Sequence, residues 1–165
     1  MNELSIERIN KKSPYKVEPL HGGYTFTTES GIDYSVHFTE EFPLGGCETY
    51  QFMFSKLSSG HASFDNNIRQ TLIVIIEEFF SQNRSVLLYI CDTSDNREAS
   101  RNRLFARWFK QFAVGAEYVF RSANSIVEGQ GFYAAIIVEK NNPNLNPLLM
   151  TLRNLHENWP NKRHI

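Results

Sequence analysis

Residues 132–138 read Phe-Tyr-Ala-Ala-Ile-Ile-Val, and residues 86–91 read Val-Leu-Leu-Tyr-Ile-Cys. A short run without polar residues is typical of a strand that is covered on both faces. The two runs therefore predict two adjacent strands at the centre of one sheet, and the rest of the fold is predicted outward from them.

Four further strands flank this centre. Apolar and polar residues alternate over three segments, 24–28, 32–38 and 49–56, which predicts an antiparallel meander with a loop at residues 43–46. Residues 118–124 mix charged and apolar side chains and are predicted as an edge strand.

Three helices are predicted between and after the strands. The first begins after the cap residue Asp65, where apolar residues recur at helical spacing, although the β-branched run 73–76 would also suit a strand. The second covers residues 95–112, and the third begins at Asn146-Pro147 and ends before Pro160.

The resulting element order is βββ-α-β-α-ββ-α, which predicts an α/β fold with a mixed six-stranded sheet. A right-handed crossover through the first helix makes strands 49–56 and 86–91 parallel. The predicted strand order in the sheet is 24–28, 32–38, 49–56, 86–91, 132–138, 118–124. Residues 1–23 are expected to form a peripheral arm, residues 24–140 one domain, and residues 141–165 a helix and tail packed on that domain.

Composition excludes several classes of protein. The apolar run 132–138 is far shorter than the roughly 20 residues that span a bilayer, and residues 1–14 do not resemble a signal peptide, so a cytoplasmic protein is expected. The net charge is −1, which makes nucleic acid an unexpected partner. Cys47 and Cys91 lack the spacing of metal ligands and are expected to be reduced thiols, so no metal site is predicted.

The most informative segment runs from the end of strand 86–91 into helix 95–112. With Arg97 at zero, Arg101 lies at about 40° on the helix, within the aromatic face formed by Phe105, Trp108 and neighbouring residues. A guanidinium in such a place requires an anion or several acceptors. Asp92 and Asp95 are the nearest acceptors in sequence.

Two interpretations of Arg101 remain open at this stage. In the first, Arg101 and Asp92 form a structural ion pair that fixes the helix to the sheet. In the second, Asp92, Asp95, Arg97 and Arg101 form a ligand site, because strand ends and helix N-termini both favour small anions.

Two families resemble the chain. Leu88 to Asp92, Arg101 to Phe105, Trp108-Phe109 and Tyr24 to Thr28 resemble an uncharacterised family of small Bacteroidetes-type proteins, a domain of unknown function, which implies no activity. The element order is also similar to the core of the GCN5-related N-acetyltransferases.

The second resemblance implies a loop whose backbone N–H groups bind the pyrophosphate of acetyl-CoA. Gly60, His61 and Ala62 occupy that loop here, with Leu57 where the family has Gln or Arg. Asn96 and Ala99 match the opening of the family's next helix, and Arg103 stands where its general-acid Tyr usually does. These two differences favour a protein without this chemistry.

The sequence therefore predicts a non-enzymatic binding or regulatory module with a site for a small anion or a protein partner. Its ligand residues are Asp92, Asp95, Arg97 and Arg101, and no catalytic residue, metal or cofactor is predicted. The alternative is a CoA-dependent N-acyltransferase of the GCN5-related type, with acetyl-CoA at Gly60, His61 and Ala62.

Overall fold

The protein is a mixed α/β structure in which four helices accompany a seven-stranded sheet over the described residues. A computed structural model describes the backbone of residues 1–59, 65–92, 96–113, 117–127 and 130–158, and their side chains except within 91–103, 113, 123–132 and 155–158. The helices are α1 (Ile6–Lys12), α2 (Asn66–Gln82), α3 (Asn96–Ala113) and α4 (Leu145–Asn158). The strands are β1 (Val17–Leu20), β2 (Gly23–Thr27), β3 (Asp33–Leu44), β4 (Cys47–Lys56), β5 (Val86–Asp92), β6 (Tyr118–Val127) and β7 (Gln130–Glu139).

The strand order is β1-β2-β3-β4-β5-β7-β6. It reproduces the order predicted from the sequence, with β5 and β7 adjacent inside the sheet and β6 at one end. The pair β4–β5 is parallel, as the right-handed crossover through α2 predicts, and the pairs β5–β7 and β6–β7 are antiparallel.

The predicted number of six strands is wrong, because β1 adds a seventh. Val17 is fully buried and pairs with Phe26 of β2. The segment Val-Glu-Pro-Leu has no clear alternation and contains Pro19, which suits only the edge of a sheet. Pairing with β2 therefore makes this strand, and its own sequence gives little sign of it.

β3 and β4 form a longer hairpin than the sequence predicts. β3 continues through Pro43 to Leu44, so the expected loop at 43–46 contracts to Gly45-Gly46. Both glycines have positive φ, +57° and +80°, as a two-residue turn of type I′ requires.

The chain divides into two compact units. The first consists of Met1–Glu40 and Phe52–Arg84. Its core contains stacked aromatic rings. The ring centres of Tyr34 in β3 and Phe54 in β4 lie 4.9 Å apart, and those of Phe38 in β3 and Phe79 in α2 lie 5.0 Å apart. α2 is a helix throughout, and its buried residues include Ile75 and Ile76, so the alternative strand at 73–76 is not formed.

The second unit consists of Glu41–Gln51 and Ser85–Ile165. α3 packs on one face of β5 through Phe105 and Phe109, which contact Tyr89, and Tyr133 of β7 contacts the same ring. Side chains alternate between faces along a strand, so Val86 and Ile136 point to the opposite face, where they pack with Leu148 of α4. None of the described helices is long and apolar enough to cross a membrane.

Candidate functional site

The candidate site lies where β5 ends and α3 begins. β5 is an interior strand between β4 and β7, and it ends at Asp92, which pairs with Phe132. α3 begins at Asn96. Asp95 lies outside the described residues, and the side chains of Asp92, Arg97 and Arg101 lie outside the described side chains. The contact between Asp92 and Arg101 therefore stays a prediction.

A cluster of aromatic rings fixes α3 to β5 and β7. Tyr89 stacks on Phe105 with ring centres 5.3 Å apart and planes 9° from parallel, and it also contacts Phe109 and Tyr133. Phe105 is 2% exposed and Phe109 is 4% exposed. This contact holds the middle of α3 against β5, three residues before the strand ends.

The centre of the buried face of α3 differs from the one expected from the sequence. Phe105 and Phe109, at about 80° and 120° on the helix, are the buried aromatics, whereas Trp108, at about 20°, is only half-buried. The centre is therefore near 100°, and the position of Arg101, at about 40°, lies toward the rim of this face. An arginine at a rim can reach both a strand end and solvent.

The alternative cofactor loop, Gly60, His61 and Ala62, lies outside the described residues. The segment before it is fixed to the start of β3. Ser58 Oγ accepts from the Asp33 N–H at 2.8 Å and donates to Asp33 Oδ2 at 3.1 Å, and the Leu57 N–H donates to the Asp33 carbonyl at 2.8 Å. Asp33 thus determines where the chain leaves β4.

The N-terminus of α2, which follows this loop, holds a carboxylate. Asp65 Oδ1 accepts from the Ile68 N–H at 2.7 Å, which is the N-cap bond expected from the sequence. Asp65 Oδ2 accepts from the Tyr15 hydroxyl at 2.7 Å. Burial, followed by this hydrogen bond, raises the pKa of Tyr15. A negative charge therefore lies at the helix end where the alternative function would require a pyrophosphate.

Polar residues on α2 that are not predicted from the sequence contact the N-terminal segment. Thr71 Oγ1 accepts from Ser13 Oγ and from the Tyr15 N–H, and Glu78 accepts from the Ser5 N–H and from Arg8. A hydrogen bond from Arg8 lowers the pKa of Glu78 although burial opposes this. A sequence signal did exist, since Glu78 follows Glu77 between the apolar pairs Ile75-Ile76 and Phe79-Phe80.

The described side chains include possible metal ligands and one thiol, that of Cys47. No group of three or more His, Cys, Asp or Glu side chains in this part of the chain could hold a metal ion. Cys47 is a free thiol, 3% exposed, whose Sγ donates to Asn142 Oδ1 at 3.6 Å. Burial raises the pKa of Cys47, so its thiol is a weak nucleophile.

Comparison with known protein families gives a match. The sequence model of DUF6169, a family of unknown function, matches residues 64–154, which is more than half of the chain. No curated protein matches the chain. The matched range contains the whole junction between β5 and α3, and it begins after Gly60, His61 and Ala62.

Proposed function

The chain belongs to DUF6169, a family of unknown function, and we propose that it is a non-enzymatic binding or regulatory module with an anion or partner site at the junction of β5 and α3. The observation that carries this proposal is the direct passage from the end of an interior strand, Asp92, to the N-terminus of a helix at Asn96. The N–H groups at such a helix end and its dipole favour negative charge.

The residue types at the junction suit an anion. Arg97 and Arg101 lie in the first two turns of α3 and supply guanidinium donors in the planar arrangement that matches carboxylates and phosphates. We infer that Asp92 and Asp95 leave some of these guanidinium donors without an acceptor, and that a bound anion accepts from them.

The rigidity of the surroundings supports a binding role. The stack of Tyr89 on Phe105 fixes α3 one turn after Arg101, so the arginine is attached to a helix that does not need to order itself on binding. A preformed site spares ordering entropy when it binds its ligand. The family match, over residues 64–154, includes every residue of this site and implies no activity.

Calorimetric titration of the full chain with inorganic pyrophosphate tests the proposal. We expect the wild type to bind pyrophosphate. The dissociation constant of R101M should be at least tenfold higher, which corresponds to a loss of about 1.4 kcal/mol of binding free energy. R107M is the matched control, because Arg107 is an exposed arginine on the same helix and its loss should leave the binding unchanged. If both variants lose the same affinity for pyrophosphate, binding depends on net charge alone, and this result would contradict a site at Arg101.

A CoA-dependent N-acyltransferase of the GCN5-related type is the second candidate. The observation that favours it is the strand order with its parallel pair β4–β5, since Thr49 to Gln51 pair with Val86 to Leu88 on either side of the crossover through α2. Against it stands the Asp65 carboxylate, which already accepts the Ile68 N–H at the helix end that follows Gly60, His61 and Ala62. We therefore rank it second.

Acetyl-CoA distinguishes the two candidates because it carries a pyrophosphate on a much larger ligand. The binding module should take acetyl-CoA no more tightly than pyrophosphate. A dissociation constant for acetyl-CoA below about 100 μM, near −5.5 kcal/mol, together with negligible pyrophosphate binding would reverse the ranking.

A further inference from the structure

The two ends of the sheet are protected to different degrees. β1 has four residues and contains Pro19, and its Glu18 pairs with Lys16, the residue before the strand. Short strands, proline and charge are the devices by which natural sheets prevent pairing at an edge. β6 has ten residues, no proline and a single charged residue, Arg121. In the described part of the chain no strand pairs with its outer side.

The backbone of β6 is regular along its whole length. Every residue from Tyr118, opposite Glu139, to Val127, opposite Gln130, has one partner in β7 without an offset. A bulge would show as two residues opposite one and would turn the edge away from a second strand. The outer side of β6 is therefore a straight row of backbone groups.

Two hydrogen bonds show which residues of β6 direct their backbone N–H and C=O groups away from β7. The Lys140 N–H donates to the Glu117 carbonyl at 2.7 Å. Every second residue after Glu117 therefore forms its backbone hydrogen bonds with β7. In an antiparallel ladder the alternate residues then direct their N–H and C=O to the other side. In agreement, the Phe120 carbonyl accepts from the Arg121 side chain at 2.9 Å. The outward residues thus include Phe120, Ser122 and Asn124.

We propose that β6 pairs with β6 of a second copy of this chain, antiparallel and about a two-fold axis at Ala123. Only alternate residues of β6 direct their backbone N–H and C=O groups away from β7. Two copies of β6 can therefore form hydrogen bonds only if these residues lie opposite one another. With Ala123 on the axis, Ser122 lies opposite Asn124 of the partner subunit, and the pairing supplies about eight backbone hydrogen bonds.

The sequence of β6 is self-complementary in this register. Phe120 falls opposite Ile126 of the partner subunit, and Val119 falls opposite Val127 of the partner subunit, so aromatic and β-branched residues meet. Arg121 falls opposite Ser125 of the partner subunit, which keeps the two arginines apart. An unrelated extended peptide would have no reason to match this pattern, and a second copy does so by symmetry.

The pairing is expected to be weak. It joins about nine residues on each side, whereas a standard interface uses about 20 to 30. The bond from Arg121 to the Phe120 carbonyl must also be released, because that carbonyl is one of the outward acceptors. This geometry predicts a dimer with a dissociation constant in the micromolar range. The hydrogen bond from Arg121 to the Phe120 carbonyl opposes dimerisation.

Sedimentation velocity of the full chain from about 1 to 200 μM tests the proposal. The wild type should pass from monomer to dimer over this range. S122P removes an outward donor without touching the β7 ladder and should raise the dimer dissociation constant at least about tenfold. S122T keeps the donor and is the matched control. R121A should dimerise more tightly than the wild type. A wild type that stays monomeric, or an S122P variant that dimerises as well as S122T, overturns the proposal.

Amide hydrogen exchange of the wild type gives a second readout that requires no variant. On raising the concentration, the N–H groups of Phe120, Ser122 and Asn124 should become protected, while their neighbours that bond to β7 are protected at every concentration. A dimer in which these three amides keep exchanging rapidly uses another surface, and that outcome also refutes the pairing.

Discussion

The buried carboxylate of Glu78 in α2 is held by Arg8 of α1. Arg8 Nη2 donates to Oε1 at 2.6 Å and Arg8 Nε donates to Oε2 at 3.1 Å, while the Ser5 N–H donates to Oε1 at 3.0 Å. The Glu78 side chain is 8% exposed and that of Arg8 is 53% exposed. The N-terminal segment is thus fixed to α2 by a charge that would be costly to leave without partners.

Replacing Glu78 with Gln should destabilise the protein. The amide keeps the size but loses the charged acceptor, and we expect the free energy of unfolding to fall by about 1 to 2 kcal/mol, since exposure of Arg8 screens the pair. Urea unfolding measures this. E7Q is the control, because the pair of Glu7 with Lys11 is exposed on both sides and should contribute under about 0.5 kcal/mol. Equal effects of the two changes would mean that burial of Glu78 is unimportant.

The same carboxylate makes stability depend on pH. Because the pKa of Glu78 is lower in the folded chain than in the unfolded chain, its ionised form stabilises the fold above the ordinary carboxyl pKa of about 4.3. That stabilisation is lost as the pH falls through the lowered pKa. Urea unfolding of the wild type and E78Q at several pH values should therefore show curves that differ near pH 7 and converge in acid. A constant difference would contradict this assignment.

The cap of α2 should depend more on an acceptor than on charge. D65A removes the bonds to the Ile68 N–H and the Tyr15 hydroxyl, and it should cost about 1 to 2 kcal/mol. D65N keeps a cap oxygen and should cost much less. Thermal unfolding compares the two variants. If D65N is as unstable as D65A, the charge at the helix N-terminus and the second acceptor oxygen of Asp65 contribute more than the cap bond does, which contradicts this prediction.

Gly45 and Gly46 should differ in their tolerance of a side chain. A Cβ at Gly45 would lie 2.4 Å from the Leu148 Cα in α4, whereas a Cβ at Gly46 meets nothing within 4 Å. Both have positive φ, so G46A carries only the backbone cost of about 1 kcal/mol and serves as the control. G45A must also displace α4 and should cost about 2 kcal/mol or more. Similar melting temperatures of the two variants would argue against the contact between this turn and α4.

The sequence predicts the elements whose signal is local. The apolar runs 86–91 and 132–138 predict β5 and β7 and their central place, and the spacing from Ile68 to Phe79 predicts α2, because burial imposes a period on the side chains. β1 is not predicted because Val17-Glu18-Pro19-Leu20 has no strand pattern of its own. Its extended structure depends on pairing with β2. The length of β3 is likewise a property of the hairpin, since Pro43 alone suggests a loop.

At the candidate site, the sequence predicts the two elements that form the junction but not the face of α3 that packs on β5. The junction between β5 and α3 follows from the order of an apolar strand and an aromatic-faced helix. The phase of the buried face depends on which rings meet Tyr89, and only packing determines that it is Phe105 and Phe109. Whether Arg101 and Asp92 touch stays a prediction.

The most direct test of the proposed site is the melting temperature of the wild type, R101M and the double variant D92N/R101M, each with and without inorganic phosphate. Met keeps the length and apolar packing of the arginine stem while removing its charge. A ligand site predicts that R101M alone melts at or above the wild type, and that phosphate stabilises the wild type only. A loss of roughly 3 kcal/mol in R101M, recovered in the double variant and unaffected by phosphate, would contradict the site and leave Arg101 as half of a structural ion pair.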